Sequence, residues 1–269
     1  MTAFVRIGGV AHHVAVDGSG PVCVLAAGLG LSWFDWDPVV PLLAPHRTLV
    51  RFDRPGHGLS APAAEEPTVA GEAHRIAALL DALGLHEPVT VVGHSIAGFH
   101  AEAFARLHPG RTAALVLVDS SVEERPRPSR TTAGSRALAA VLGAAGVPAA
   151  LGPAVRRLAV RRDPTPTALI RRVYGTSRVL RGALLENARY GAVAAGLLAL
   201  RERHPLPPGL PVTVLAAPDG SARWERRQRA LARLLGARYE AAGPSGHLVM
   251  RDRPDAVARA VLRAGQVAE

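Results

Sequence analysis

Val89-Thr-Val-Val-Gly-His-Ser-Ile-Ala-Gly-Phe99 carries a β-branched apolar run into a helical one, with a single serine between them. A strand that turns straight into a helix holds Ser95 on a sharp turn, with its hydroxyl projecting clear of the sheet. Gly93 removes a side chain that would collide with the turn. A small residue at position 97 lets the helix pack back on the strand. The helix N-terminus then brings backbone N–H groups and a positive dipole close to that hydroxyl, where a developing anion would gain from them. The pattern is G-x-S-x-A: Ala97 stands where a second glycine is usual, and Gly98 follows it. One extra methyl predicts a small packing change and an intact turn.

Strands and helices alternate on both sides of this stretch. Phe4 to Ile7 and His12 to Val16 read as short strands around Gly8-Gly9, and Pro21 to Ala26 as a strand buried on both faces. Trp36 to Leu43 reads as a short helix and Thr48 to Phe52 as a strand. Val69 to Leu83 repeats apolar residues at helical spacing until Gly84. Pro88 to Val92 and Ala113 to Val118 are strands, with a helix from Ile96 to Leu107 between them. After residue 208 the alternation resumes: strand Val212 to Ala216, helix Ala222 to Leu235, strand Ala237 to Glu240, helix Pro254 to Arg263. This order predicts a parallel sheet covered on both faces. Residues 121–208 show no strand pattern. They read as helical segments punctuated by Pro and Gly, inserted between two strands as a lid over the sheet's carboxyl edge, where open α/β sheets bind ligands.

With these features in order, the chain resembles the α/β-hydrolase superfamily, specifically its lidded serine-hydrolase members, over nearly its whole length. Asp53-Arg-Pro-Gly-His-Gly-Leu-Ser60 resembles the family's D-x-x-G-x-G-x-S loop, Ala26-Ala-Gly-Leu-Gly30 stands at its oxyanion loop, and Leu248 to Ala260 resembles its final helical region. The resemblance implies a mostly parallel central sheet flanked by helices, with a helical lid after the sixth strand. Residues 1–120 and 209–269 would form the core and 121–208 the cap. It also implies that the backbone N–H groups of Leu29 and Ile96 form the oxyanion hole. Ala27 stands where the family commonly has histidine, which leaves the backbone donor intact.

Serine needs a base to take its proton. Among 11 histidines, His247 follows a strand and the turn Gly243-Pro-Ser-Gly246, on a loop able to reach Ser95, and the resemblance puts the base there. The acid that orients the imidazole is read as Asp219, in Ala217-Pro-Asp-Gly220 after the strand 212–216. This gives the order Ser95, Asp219, His247 that the fold expects. Asp119, after the strand 113–118, is the rival. Gly28, Trp33, Phe34 and His94 are expected at the substrate, with core packing as the alternative for the two aromatics. Leu138, Val141, Leu142 and Val147 are expected as an apolar ceiling.

Composition narrows the classes. One cysteine, Cys23, excludes an internal disulfide, and its apolar neighbours read it as core. All 32 basic residues are arginine. Residues 121–208 hold 15 of them against five acids, so the whole formal charge of +10 sits there. With no recognisable binding motif in that segment, nucleic acid is not expected as a partner and a solvated arginine surface is. The uncharged run Ala137 to Val155 is broken by Gly143, Gly146, Pro148, Gly152 and Pro153, so no stable membrane span is expected. The start has no leader pattern, which predicts a cytoplasmic protein. No metal-ligand spacing, phosphate loop or dinucleotide fingerprint is present, so no cofactor is expected. A small-molecule substrate and a monomer or homodimer are expected. The resulting function is hydrolysis of a carboxylic ester through an acyl-enzyme. The same triad acting on a C–C, amide or lactone bond, or as a lyase, is the alternative. A binding protein on a hydrolase scaffold is the further one.

Overall fold

Strands from both sides of the helical insert pair into a single eight-stranded sheet in the order β1-β2-β4-β3-β5-β6-β7-β8. The strands are β1 Thr2–Ile7, β2 Val10–Asp17, β3 Val22–Ala26, β4 Thr48–Phe52, β5 Val89–His94, β6 Thr112–Val118, β7 Val212–Ala216 and β8 Arg238–Ala241. β2 runs antiparallel to β1 and β4, and every other pair is parallel. The computed structural model describes residues 1–126, 128, 132–160, 163–218 and 221–265. The central strands β5 and β7 are buried throughout, as unalternating apolar runs require when helices cover both faces.

Helices α2 Val69–Ala82 and α3 Ala97–Leu107 cover one face, and α10 Pro254–Ala264 covers the other. α8 Ala222–Leu235 links β7 to β8, and the one-turn α9 Val249–Asp252 precedes α10. The expected helix 36–43 is instead a 3-10 turn, Trp33–Val39, followed by the four-residue α1, Val40–Leu43. Pro38 and Pro41 each lack the N–H that a continuous α-helix would use.

Between β6 and β7 the described residues form four helices: α4 Thr132–Ala144, α5 Val147–Ala159, α6 Thr167–Tyr174 and α7 Ser177–Arg203. α4 and α5 meet at an angle of 103°, where Gly146 takes φ +69°. Among the described residues no single helix is long and apolar enough to cross a membrane. The second half of α7 lies against the core. Val193, Ala194, Leu197 and Leu200 pack in the same apolar cluster as Ile76 and Phe104 of the core.

The insert's arginines also depart from a uniformly solvated surface. Arg201 grips Glu102 of α3 through Nε at 2.8 Å and Nη2 at 2.7 Å. Arg178 donates to the carbonyls of Gly58 and Ser60. Arg156 reaches Asp35. These guanidiniums tie the insert to the core with fork geometry that an ammonium cannot match.

Candidate active site

The turn after β5 takes the form that its small residues predict. Ser95 has φ +55°, a left-handed conformation uncommon for a residue with a side chain. It is held by Ser95 N donating to Val118 O at 3.2 Å and by Ser95 O accepting from the N–H groups of Gly98 and Ser121. A Cβ on Gly93 would lie 2.3 Å from Ala97 O, so no larger residue fits there. A Cβ on Gly98 would lie 2.0 Å from Ser120 Oγ. The close approach thus falls at position 98, and alanine is accommodated at 97.

His247 sits on the loop between β8 and α9, with about half of its side chain exposed. Its Nδ1 lies 2.6 Å from Asp119 Oδ2. A carboxylate only accepts, so in the neutral ring Nδ1 carries the proton and Nε2 presents its lone pair. Asp119 closes β6 at φ +40° and is 2% exposed. Its other oxygen, Oδ1, accepts from Ala217 N at 3.0 Å and Trp224 Nε1 at 2.7 Å. The carboxylate is therefore buried, oriented and fully bonded. Asp119, the expected rival, thus stands beside the imidazole; Asp219, the expected acid, lies outside the described residues. Trp224, which fixes Asp119 from α8, carries no signal in the sequence beyond its helical position.

His94 was expected to meet substrate. Its ring is instead buried, with Nε2 donating to the carbonyl of His247 at 2.8 Å. The two rings lie 4.7 Å apart, so His94 fixes the backbone of the residue that faces Asp119. Gly28 packs against both: a Cβ there would lie 2.7 Å from His94 Nδ1 and 3.0 Å from Ser95 Cβ. Among the described residues no hydrogen bond within the protein uses the N–H of Leu29 or Ile96. No hydrogen bond joins Ser95 Oγ to His247 either, and such contacts commonly tighten only with substrate bound.

Trp33 and Phe34 are also corrected. They are buried in an aromatic cluster with His13 and Tyr174, and they line no part of the cavity above His247. The N–H of Trp33 is taken by Asp53 Oδ1 at 3.0 Å. Asp53 also accepts from Leu59 N at 3.0 Å, and its carbonyl accepts from Ser60 Oγ at 2.7 Å. A Cβ on Gly58, at φ +48°, would fall 2.0 Å from the Asp53 carboxyl. The 53–60 loop is thus a self-bonded brace for the segment around Trp33.

A cavity of about 550 Å³ opens beside His247, beneath the insert. Leu29, Leu31, Leu142, Val147, Leu151 and Val179 are among the residues that give it apolar walls. Of the expected ceiling, Leu142 and Val147 line it, whereas Leu138 and Val141 face solvent. Arg156, the one arginine among the described residues of the wall, is neutralised by Asp35 and by Asp163, whose oxygen lies 2.9 Å from its Nε. Arg251 completes the cluster, 2.6 Å from Asp163. Two cations face two anions, so this cluster carries no net charge.

Three buried imidazoles make the fold sensitive to acid. Burial, reinforced by His247, holds His94 down at about 3. Burial, reinforced by Arg54, holds His100 at about 3. Burial, reinforced by Arg75, holds His12 at about 4. In the unfolded chain all three take up protons near 6.5. The unfolded state therefore binds more protons below that value. Stability is complete above about pH 6.5 and falls as pH drops toward 3–4. At pH 5.5 the loss is on the order of 1 kcal/mol for each group. Urea midpoints measured at pH 7.5 and 5.5 should show this decline, and equal midpoints would exclude it.

Residues 23–260 match the model of the Alpha/beta hydrolase family. The 2-hydroxy-6-oxo-2,4-heptadienoate hydrolase of Pseudomonas putida is 34% identical over 118 residues, covering 42% of this chain and 42% of that protein. The pimeloyl-[acyl-carrier protein] methyl ester esterase of Aeromonas hydrophila is 35% identical over 105 residues, covering 39% of each. In each case the matched stretch is less than half the length of the curated relative. Among solved structures, the enol-lactonase from Burkholderia xenovorans LB400 aligns over 97% of this chain and 99% of its own, with TM-score 0.73 and 23% identity. At that identity the likeness speaks for the fold.

Proposed function

The chain belongs to the alpha/beta hydrolase family, and from that membership and the site geometry we propose that it is a serine hydrolase cleaving a carboxylic ester of a small to medium apolar substrate. The observation that carries the proposal is the imidazole of His247, its Nδ1 held by the buried Asp119 beside the strained turn that bears Ser95. In this reading Ser95 Oγ bonds to the ester carbonyl carbon while His247 Nε2 takes the hydroxyl proton. The carbonyl π pair moves to oxygen and is met by the N–H groups of Leu29 and Ile96. Collapse breaks the bond to the alkoxy group, which leaves with the proton from His247. Water then repeats the sequence on the acyl-enzyme, releasing the acid and restoring Ser95. The apolar residues that line the cavity favour an uncharged acyl or alcohol portion.

The test is labelling with a fluorophosphonate followed by peptide mapping, alongside a panel of 4-nitrophenyl esters of rising acyl length, an amide and a lactone. A single modified peptide containing Ser95 is expected, with the highest kcat/KM on esters of intermediate chain length. Folded protein that takes no label and turns over none of the panel would rule the reading out and favour a binding protein. Labelling with turnover of the lactone or amide alone would keep the nucleophile and change the bond.

A further inference from the structure

Arg54 belongs to the 53–60 loop, yet its guanidinium points away from that loop's own bonds. It is 4% exposed. Nη1 donates to the carbonyl of Ala27 and Nη2 to the carbonyl of Gly28, the latter at 2.8 Å. Its other edge meets Glu186 of α7 through Nε at 2.7 Å and Nη2 at 2.9 Å. Glu186 is 2% exposed, and Arg54 then His57 hold its carboxyl far below the usual range despite burial. The pair is therefore a fixed ionic clamp between the insert and the Ala27-Gly28-Leu29 segment.

The consequence follows from the peptide bond. The carbonyl of Gly28 and the N–H of Leu29 belong to one planar trans unit, so they point in opposite directions. A donor that fixes Gly28 O from one side aims Leu29 N–H to the other. Gly28 O also accepts from Leu31 N at 3.1 Å, so two donors hold this one carbonyl. Two donors on a carbonyl polarise the amide and strengthen its N–H as a donor. Gly28 also packs against Ser95: a Cβ on it would lie 3.0 Å from Ser95 Cβ. We infer that Arg54, held by Glu186, is the positioning residue of the oxyanion hole, acting through the Gly28–Leu29 peptide plane on the anion formed at Ser95. This inference rests on the serine-hydrolase reading above. It adds that a carboxylate from the insert is needed to finish a catalytic element of the core.

The role predicts a selective defect. Misaiming one donor weakens the transition state more than the ground state. Arg54→Lys keeps the charge and loses the fork. It should lower kcat on a 4-nitrophenyl ester about 10- to 100-fold, with KM changed less than about threefold. Affinity for an alkyl boronic acid, which forms a tetrahedral anion on Ser95, should fall in parallel with kcat. Glu186→Gln should give the same pattern more weakly. Arg54→Ala should regain part of its kcat and boronate affinity with added methylguanidinium, if it folds by circular dichroism. If it does not fold, Arg54→Lys and Glu186→Gln decide the matter. Folded variants with unchanged kcat would overturn the inference. So would a kcat loss with unchanged boronate affinity, or a rise in KM alone. Failure of the serine-hydrolase reading itself would appear separately, as absence of label on Ser95 in the wild-type protein.

Discussion

Asp119→Asn will lower kcat on a reporter ester by a factor on the order of 10³–10⁴, while Asp219→Asn will leave it within about twofold of wild type. The large effect comes from the tautomer. Asp119 Oδ2 accepts from His247 Nδ1 at 2.6 Å. Because Oδ1 is already occupied by Ala217 N and Trp224 Nε1, an asparagine would keep its oxygen there and turn its NH₂ toward the ring. The ring would then accept at Nδ1, carry its proton on Nε2 and be unable to take one from Ser95. The fold should survive, since the substitution is isosteric and both donors keep their acceptor. Steady-state kinetics of the two variants side by side decide the assignment. A large loss in Asp219→Asn with Asp119→Asn near wild type would reverse it.

Ser95→Ala should lose about 10⁴-fold or more in kcat, along with all fluorophosphonate labelling, because removing the nucleophile leaves only binding and the oxyanion donors. A companion variant separates chemistry from folding. Ser95 holds φ +55°, a conformation that costs an L-residue about 1–2 kcal/mol and glycine almost nothing. Ser95→Gly should therefore be equally inactive, yet more stable than Ser95→Ala by about 1 kcal/mol in urea melts. Wild-type turnover in Ser95→Ala would remove the serine from the mechanism. Equal stability of the two variants would remove strain from the account of the turn.

The parts of the site legible before folding were those encoded locally. Ser95 stood out because a glycine two residues earlier and small residues after it are what a strand-to-helix turn demands. Position 98 shows how local that logic is, since glycine there is enforced by Ser120 Oγ rather than by the turn itself. His247 stood out because it occupies a loop between a strand and a helix near the chain's end. Trp33, Phe34 and His94 were misplaced because proximity in sequence to a site residue does not give the direction of a side chain. Trp33 follows the oxyanion segment but turns into the cluster with His13, and His94 turns toward the backbone of His247. The charge excess of residues 121–208 was legible as a number. Its use was not, because Arg156 and Arg201 pair with Asp35 and Glu102, more than 90 residues away in the chain.

The alternation of apolar runs, the glycine positions and the 53–60 loop determined by themselves the sheet, the inserted helices and the residue that presents a hydroxyl, since each depends on near neighbours. Which carboxylate meets the imidazole was settled only in three dimensions. Asp119 and Asp219 follow adjacent parallel strands, so chain order offers both at the same edge. The choice rests on a tryptophan indole and a backbone amide that approach Asp119 from about 100 residues away, and on no property of either aspartate alone. Solution data placing the proton partner of residue 247 on any group other than the carboxylate at the end of the sixth strand would undo that account.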